Sequence, residues 1–329
     1  MKRHVRAGIV LLAAALSRCG APAQAPAQRP AEQTPTIRVD VDVVSVLCTV
    51  KDRKGRLINT LDKNDFEIFE DGQKQQVRYF TRETALPLTI GLLVDTSVSQ
   101  QRLVPAERDA SEVFFRRVLG AKDLAFLISF DTDVDLLQDL SGNQELLRRA
   151  LDQLRVNTSG PPPSRVTIPQ GPFPLPPRGT LLYDAVYLAA TEKLTAEVGR
   201  KTIVLITDGQ DQGSKTKLDQ AVETTQKADV IIYGILFYDR GFYGPLGYAG
   251  DGALKKMAEE TGGRVFRVTH GKELAVAFDE ISHELRSQYS IGYTPGNTRR
   301  DGRFRPLKIR TVRDDLRVQA RKGYYAPAN

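Results

Sequence analysis

Five oxygen-bearing side chains draw notice because each follows or opens a segment that must be ordered. Asp95-Thr96-Ser97-Val98-Ser99 directly follows Leu88–Val94, a run of mostly apolar residues. Asp208 lies in Ile206-Thr207-Asp208-Gly209, at the end of a second such run, and Gly179-Thr180 opens an amphipathic segment after a Pro-rich loop. Asp95, Ser97, Ser99, Thr180 and Asp208 together offer two carboxylates, three hydroxyls and no soft ligand. An oxygen-only set suits Mg²⁺ or Mn²⁺, with Ca²⁺ as a further option, and disfavours Zn²⁺ or Cu²⁺. Hydroxyls bring no compensating charge, so a cation held among them stays electrophilic and can accept an acidic group from outside. The plainer alternative is that Ser97 and Ser99 cap a helix and Asp208-Gly209 only turns the chain.

Chemistry at such positions needs a scaffold that brings the three segments to one edge. Leu88–Val94, Leu124–Phe130, Thr202–Ile206, Val230–Phe237 and Val265–Val268 are short apolar runs, as parallel strands covered on both faces require. Amphipathic stretches separate them. The clearest is 272–287, with Leu274, Ala277, Phe278, Ile281 and Leu285 at helical spacing. Val134–Leu137 reads as an antiparallel edge strand. Residues 85–287 are therefore expected to form a doubly wound, mostly parallel α/β sheet, in which ligands bind beyond the carboxyl ends of the strands.

The flanks read differently. Ile37, Val39, Val41 and Val43 alternate, and the alternation resumes out of phase at Val44, Val46, Cys48 and Val50, which reads as strand, bulge, strand. Asp71-Gly72 sits in hairpin context between Phe66/Ile68 and Val77/Tyr79. Tyr289–Tyr293, Leu307–Val312 and Leu316–Ala320 are further short strands, the last two joined around Asp314-Asp315. Each flank is too short to bury a core alone. The two are expected to pair as one discontinuous β-sandwich-like domain, 37–84 with 288–326, into which 85–287 is inserted.

The amino terminus reads as an address. Lys2, Arg3 and Arg6 precede the apolar stretch Ala7–Leu16, the pattern of a secretory signal over residues 1–23. Ala21-Pro22-Ala23 offers a cleavage site. The rival is Leu16-Ser17-Arg18-Cys19, a lipobox-like stretch in which Cys19 carries a lipid anchor, although Arg18 is large for that position. Residues 24–36 are Ala-, Pro- and Gln-rich and read as a flexible linker. The chain is thus expected to be exported, periplasmic or extracellular. The leader holds four of the 47 basic residues and no acidic one, so the net charge of +7 falls to +3 without it. That removes the main argument for nucleic acid. With two Cys and three His among 329 residues, a disulfide framework, a thiolate zinc cluster and His-based catalysis are excluded or starved of residues.

Other motifs have plain readings. Asp131-x-Asp133-x-Asp135 is followed by Leu136, and Gly142 stands where an EF-hand needs Glu, so a solvated hairpin turn is expected. Asp211 is either an outer carboxylate of the cluster or loop surface. Arg299, Arg300, Arg303 and Arg305 read as a basic surface turn. Cys48, alternating with Val46 and Val50, reads as a small buried hydrophobe. Gly160–Gly179 holds eight Pro, and Phe237–Gly252 holds Tyr238, Phe242, Tyr243 and Tyr248, so both are candidate recognition loops at the rim of the cluster.

Residues 85–287 resemble a von Willebrand factor A (vWA) domain. Asp95-x-Ser97-x-Ser99, Thr180 and Asp208 match that family's metal-ion-dependent adhesion site. Asp65-Phe66-x-Ile68-x-Glu70-Asp71-Gly72 and Tyr289-x-Ile291-Gly292-Tyr293-x-Pro295 are similar to the flanks of a bacterial secreted vWA-related family. The resemblance implies that the Ser and Thr hydroxyls contact the metal. It also implies that the two Asp act through water or behind the ligands, and that a partner's carboxylate completes the coordination. The expected function is a metal-dependent protein-binding or adhesion module, not an enzyme. The alternatives are a structural envelope component with a vestigial site and a metal-assisted hydrolase. Against the hydrolase, no general base adjoins the motif and no nucleophile–His pairing is visible.

Overall fold

The computed structural model describes residues 43–83, 86–156, 179–237 and 251–328. The leader, the linker, the start of the first flank, most of the Pro-rich loop and most of the aromatic loop lie outside the described residues.

Four strands open the described chain: β1 (Val44–Asp52), β2 (Phe66–Glu70), β3 (Gln73–Gln75) and β4 (Tyr79–Glu83). The hairpin between β2 and β3 turns at Asp71-Gly72, where both residues have positive φ, 49° and 79°. That backbone matches the twist of the paired strands, and Gly adopts it without steric cost. Six strands form the central sheet: β5 (Leu88–Asp95), β6 (Leu124–Phe130), β7 (Val134–Ser141), β8 (Arg200–Thr207), β9 (Val230–Phe237) and β10 (Val265–Val268). They lie in the order β10-β9-β8-β5-β6-β7, all parallel except the antiparallel edge pair β6–β7. All residues of β5, β8 and β9 are buried, which explains their unbroken apolar runs.

Helices cover both faces of this sheet. They are α1 (Val104–Val118), α2 (Gln144–Leu151), α3 (Leu182–Leu188, continued by a π-helical turn at Ala189–Leu194), α4 (Leu218–Lys227), α5 (Asp251–Thr261) and α6 (Gly271–Leu285). Their buried stripes form two clusters, one on each face of the sheet. One of these includes a stacked Phe114–Phe278 pair between α1 and α6, with ring centroids 4.5 Å apart. The segment opened by Gly179-Thr180 becomes helical only at Leu182. The backbones of Thr180 and Leu181 are first engaged by Gln212 and Asp131, which holds them out of helical conformation.

The chain ends in β11 (Gln288–Tyr293), β12 (Phe304–Thr311), β13 (Leu316–Ala320) and β14 (Gly323–Tyr325). Strands from the two flanks interleave in two four-stranded sheets, β13-β1-β11-β4 and β14-β12-β2-β3. The sheets share one core. Val46, Cys48, Tyr289 and Ile291 come from the first, and Phe66, Ile68, Leu307 and Tyr324 from the second. The Phe66 and Tyr289 rings meet across it at 5.3 Å. The fold is thus a mostly parallel α/β sheet inserted in a β-sandwich built from both flanks. Asp314-Asp315 does not close a hairpin, because β12 and β13 belong to different sheets and the link crosses between them.

Arg305 is not on a surface turn. It is 4% exposed, with its guanidinium 3.7 Å from the buried Glu70 carboxylate and donating to the Asn297 and Arg299 carbonyls. Glu70 also accepts from the Tyr293 hydroxyl at 2.5 Å and the Tyr324 hydroxyl at 3.1 Å. Cys48 is buried as expected, and burial pushes its thiol up to about 12.

Candidate metal centre

The strand order decides where the site lies. β5 is flanked by β8 on one side and β6 on the other, and the chain visits β6 first and β8 later. This reversal leaves a crevice beyond the carboxyl end of β5, the usual place for a ligand in open α/β sheets. Register aligns the three strand ends. Asp95 is opposite Phe130, and Val94 is opposite Ile206, so Asp95 stands next to Thr207.

Four of the five expected side chains join in one hydrogen-bonded chain. The Thr207 hydroxyl donates to Asp95 Oδ2 at 2.7 Å, and the Ser97 backbone N–H donates to Asp95 Oδ1 at 3.0 Å. The Ser97 and Ser99 hydroxyls are 2.9 Å apart, and Ser99 donates to Asp208 Oδ2 at 2.7 Å. Asp208 Oδ1 accepts from the Gln210 backbone N–H at 3.1 Å. The Ser97 side chain caps no helix. It precedes the short Val98–Gln100 turn without a capping bond, which counts against the plain capping reading.

Thr180 is not part of this hydrogen-bonded chain and is placed by backbone bonds. Its carbonyl accepts from the Gln212 N–H at 2.9 Å, and the next N–H, that of Leu181, donates to the Asp131 carbonyl at 2.8 Å. Gly179 permits this close approach, since a Cβ there would fall 1.8 Å from Gln212 Cβ. Asp211 takes no part in the chain of hydroxyls. Its Oδ1 accepts from Tyr183 N–H and from the Ser214 hydroxyl, satisfying free amides at the start of α3. Asp131 closes the β6–β7 turn as expected and also accepts from the Thr96 hydroxyl, which sequence reasoning did not anticipate.

Electrostatics at this edge are unfavourable for the bare protein. Asp95 is fully buried and Asp208 is 3% exposed. Burial, then the Asp208 charge, pushes the Asp95 carboxyl up to about 7. A third carboxyl, Glu107 on α1, is also fully buried, and both its oxygens lack a hydrogen-bond partner. Burial and the Asp95 charge hold it well above the ordinary range. Glu107 was legible in principle: with Val104, Ser111, Phe114 and Val118 it falls on the stripe that α1 buries.

These features fit a hard divalent cation. Two buried carboxylates bridged by hydroxyls repel one another, and a dication among them would offset that repulsion. Among the described residues, no three His, Cys, Asp or Glu side chains cluster as a metal site. A cation here would therefore rely on Ser97, Ser99 and Thr180 as much as on carboxylates.

Comparison with known proteins shows what part of the chain and its fold resemble. The model of the von Willebrand factor type A domain matches residues 174–280, which includes Thr180 and Asp208 and stops short of the Asp95–Ser99 half of the site. No curated protein matches the chain. Among solved structures, the fold is similar to proximal thread matrix protein 1 from the mussel byssus, with a TM-score of 0.50 and 15% identity over 66% of this chain and 51% of that one. A form of that protein with a zinc-occupied MIDAS motif gives the same TM-score and identity, over 66% of this chain and 50% of that one. A von Willebrand factor type A protein from Catenulispora acidiphila is similar over 88% of this chain and 74% of its own, with a TM-score of 0.49 and 12% identity. The chain spans about half the length of the mussel protein. The match over residues 174–280 and the order of the central sheet make this part of the chain similar to a von Willebrand factor type A domain.

Proposed function

We propose that this protein is an exported, metal-dependent binding module. Ser97, Ser99 and Thr180 would hold Mg²⁺ or Mn²⁺ directly, while Asp95 and Asp208 would balance its charge and orient its waters. When bound, the cation supplies a Lewis-acidic position for an acidic side chain of a partner protein or peptide. The chain's own residues do the rest. Thr207 and the Ser97 amide fix both oxygens of Asp95, and Ser99 ties the first loop to Asp208. Val98 stands 54% exposed between the two Ser and offers apolar contact beside the cation.

One observation carries this reading: a buried Asp95 pressed by Asp208, with hydroxyls and an amide as its neighbours. Export rests on the basic and apolar leader, residues 1–23. No helix among the described residues is long and apolar enough to cross a membrane. The β-sandwich built from both flanks would act as the carrier that presents the metal face. The test is calorimetric titration with Mn²⁺ and with Mg²⁺, for wild type and Asp95→Ala. Binding by the wild type that the variant loses, with an unchanged circular dichroism spectrum, is expected. Equal binding by both proteins would overturn the proposal.

A further inference from the structure

We propose that Asp131 is a positioning residue for the metal centre, acting from outside it on two of its three segments. This rests on the reading above, and its test is arranged so that the two can fail separately. The segments are tied unequally. The β8 segment is bound to the β5 segment by side chains of the site itself, Thr207 to Asp95 and Ser99 to Asp208. The Thr180 segment belongs to no strand and is placed by its backbone bonds to Gln212 and Asp131.

Asp131 reaches both of the remaining segments. It follows Phe130 at the end of β6, beside Thr96. The Thr96 hydroxyl shares its proton between Asp131 Oδ2 and the Phe130 carbonyl, each at 3.4 Å, and Thr96 N–H donates to that carbonyl at 2.9 Å. Asp131 Oδ1 accepts from the Asp133 N–H at 3.1 Å and the Thr132 hydroxyl at 3.2 Å, closing an Asx turn. That turn sets the plane of the 131 peptide, whose carbonyl accepts the Leu181 N–H at 2.8 Å. A single side chain therefore shapes the turn that holds Thr180 and steadies the residue between Asp95 and Ser97. Partners of this kind, one shell out from a cation, commonly change its affinity as much as a ligand does.

The experiment is Mn²⁺ affinity by titration for wild type, Asp131→Ala, Asp131→Asn and Thr96→Val, with urea unfolding of each in EDTA. Asp131→Ala should weaken Mn²⁺ binding about 10–100-fold, with its unfolding midpoint in EDTA close to that of the wild type. Thr96→Val should weaken it in the same direction and by less. Asp131→Asn, which keeps the acceptor for the turn, should bind nearly as the wild type does. Wild-type affinity in both Asp131→Ala and Thr96→Val would overturn the positioning role. So would an Asp131→Asn as poor as Asp131→Ala, because the effect would then be one of charge and not of position. A wild type that binds no Mn²⁺ would remove the metal centre itself, and the reading under Proposed function with it.

Discussion

Glu284 and Asp95 are equally hidden from water, at 1% and 0% exposure, and the chain surrounds them in opposite ways. Glu284 sits at the far end of α6, where the α/β sheet meets the sandwich. Lys51 reaches its Oε1 at 2.7 Å from β1, Arg264 reaches the same oxygen at 2.6 Å, and Gln319 donates to Oε2 at 3.3 Å. Asp95 sits at the carboxyl edge of the sheet and meets an amide, hydroxyls and a second carboxylate. Among the described residues, no basic side chain pairs with it. A buried carboxylate is costly unless countered by positive charge. At the junction the fold supplies that charge from within. At the sheet edge it supplies hydroxyls, which can complete a coordination shell and cannot neutralise it. On the function proposed above, the edge is where charge would come from solution.

Three substitutions or conditions sharpen this contrast. One large effect belongs to the junction. Glu284→Ala strands Lys51 and Arg264 and should cost roughly 3 kcal/mol of stability. Urea unfolding should show the same loss in EDTA and in Mg²⁺, since no cation from solution takes part there. A loss that Mg²⁺ changes would dissolve the contrast between the two regions.

The second effect is one of pH. Asp95 titrates at about 7 in the folded chain and near the ordinary 3.8 when unfolded. Between those values the folded state holds a proton that the unfolded chain has released. Stability in EDTA should therefore fall as pH rises from about 4 to about 7 and then level off. A cation needs the ionised form, so the stabilisation added by Mg²⁺ should grow across the same window. Unfolding midpoints at several pH values, with and without metal, check both slopes. A flat profile in EDTA would contradict the burial argument.

The smallest effect concerns Glu107, whose carboxyl is also held above its ordinary value by burial and by Asp95. Glu107→Gln keeps the shape and removes the ionisable group. In EDTA at pH 8 it should stabilise the protein, because the unfolded chain no longer gains by releasing that proton, and flatten part of the pH slope. Denaturation of this variant at pH 5 and pH 8 separates the Glu107 share from that of Asp95. Destabilisation at both values would mean that Glu107 has a partner its charge serves.

The two regions also differ in how far the sequence announced them. The sheet edge was legible because its signals are local. Asp95-x-Ser97-x-Ser99 ends a buried strand, Thr207-Asp208 ends another, and parallel pairing brings strand ends together without further information. The split sandwich was legible only as a need: neither flank could bury a core alone. Which flank strand joins which sheet was not, because Asp314-Asp315 would suit a hairpin as well as the crossing it makes. Arg305 was misjudged for the same reason, since its partner Glu70 is 235 residues away in the chain. The late start of α3 depends on backbone bonds to Asp131 and Gln212, which no propensity encodes. Glu107 could have been found by asking which charged residue falls within an apolar helical stripe.

The central claim is that positive charge at Asp95 comes from solution. Thermal unfolding of wild type and Asp95→Asn at pH 7.5, in EDTA and then in excess Mg²⁺ or Mn²⁺, tests it most directly. A ligand that binds only the folded state at a hundredfold excess over its Kd adds about 3 kcal/mol, a rise on the order of 5–10 °C for a domain of this size. That rise is expected in the wild type and not in Asp95→Asn, with the variant no less stable than wild type in EDTA. Midpoints that do not respond to either metal, or a variant that responds as the wild type does, would contradict the claim.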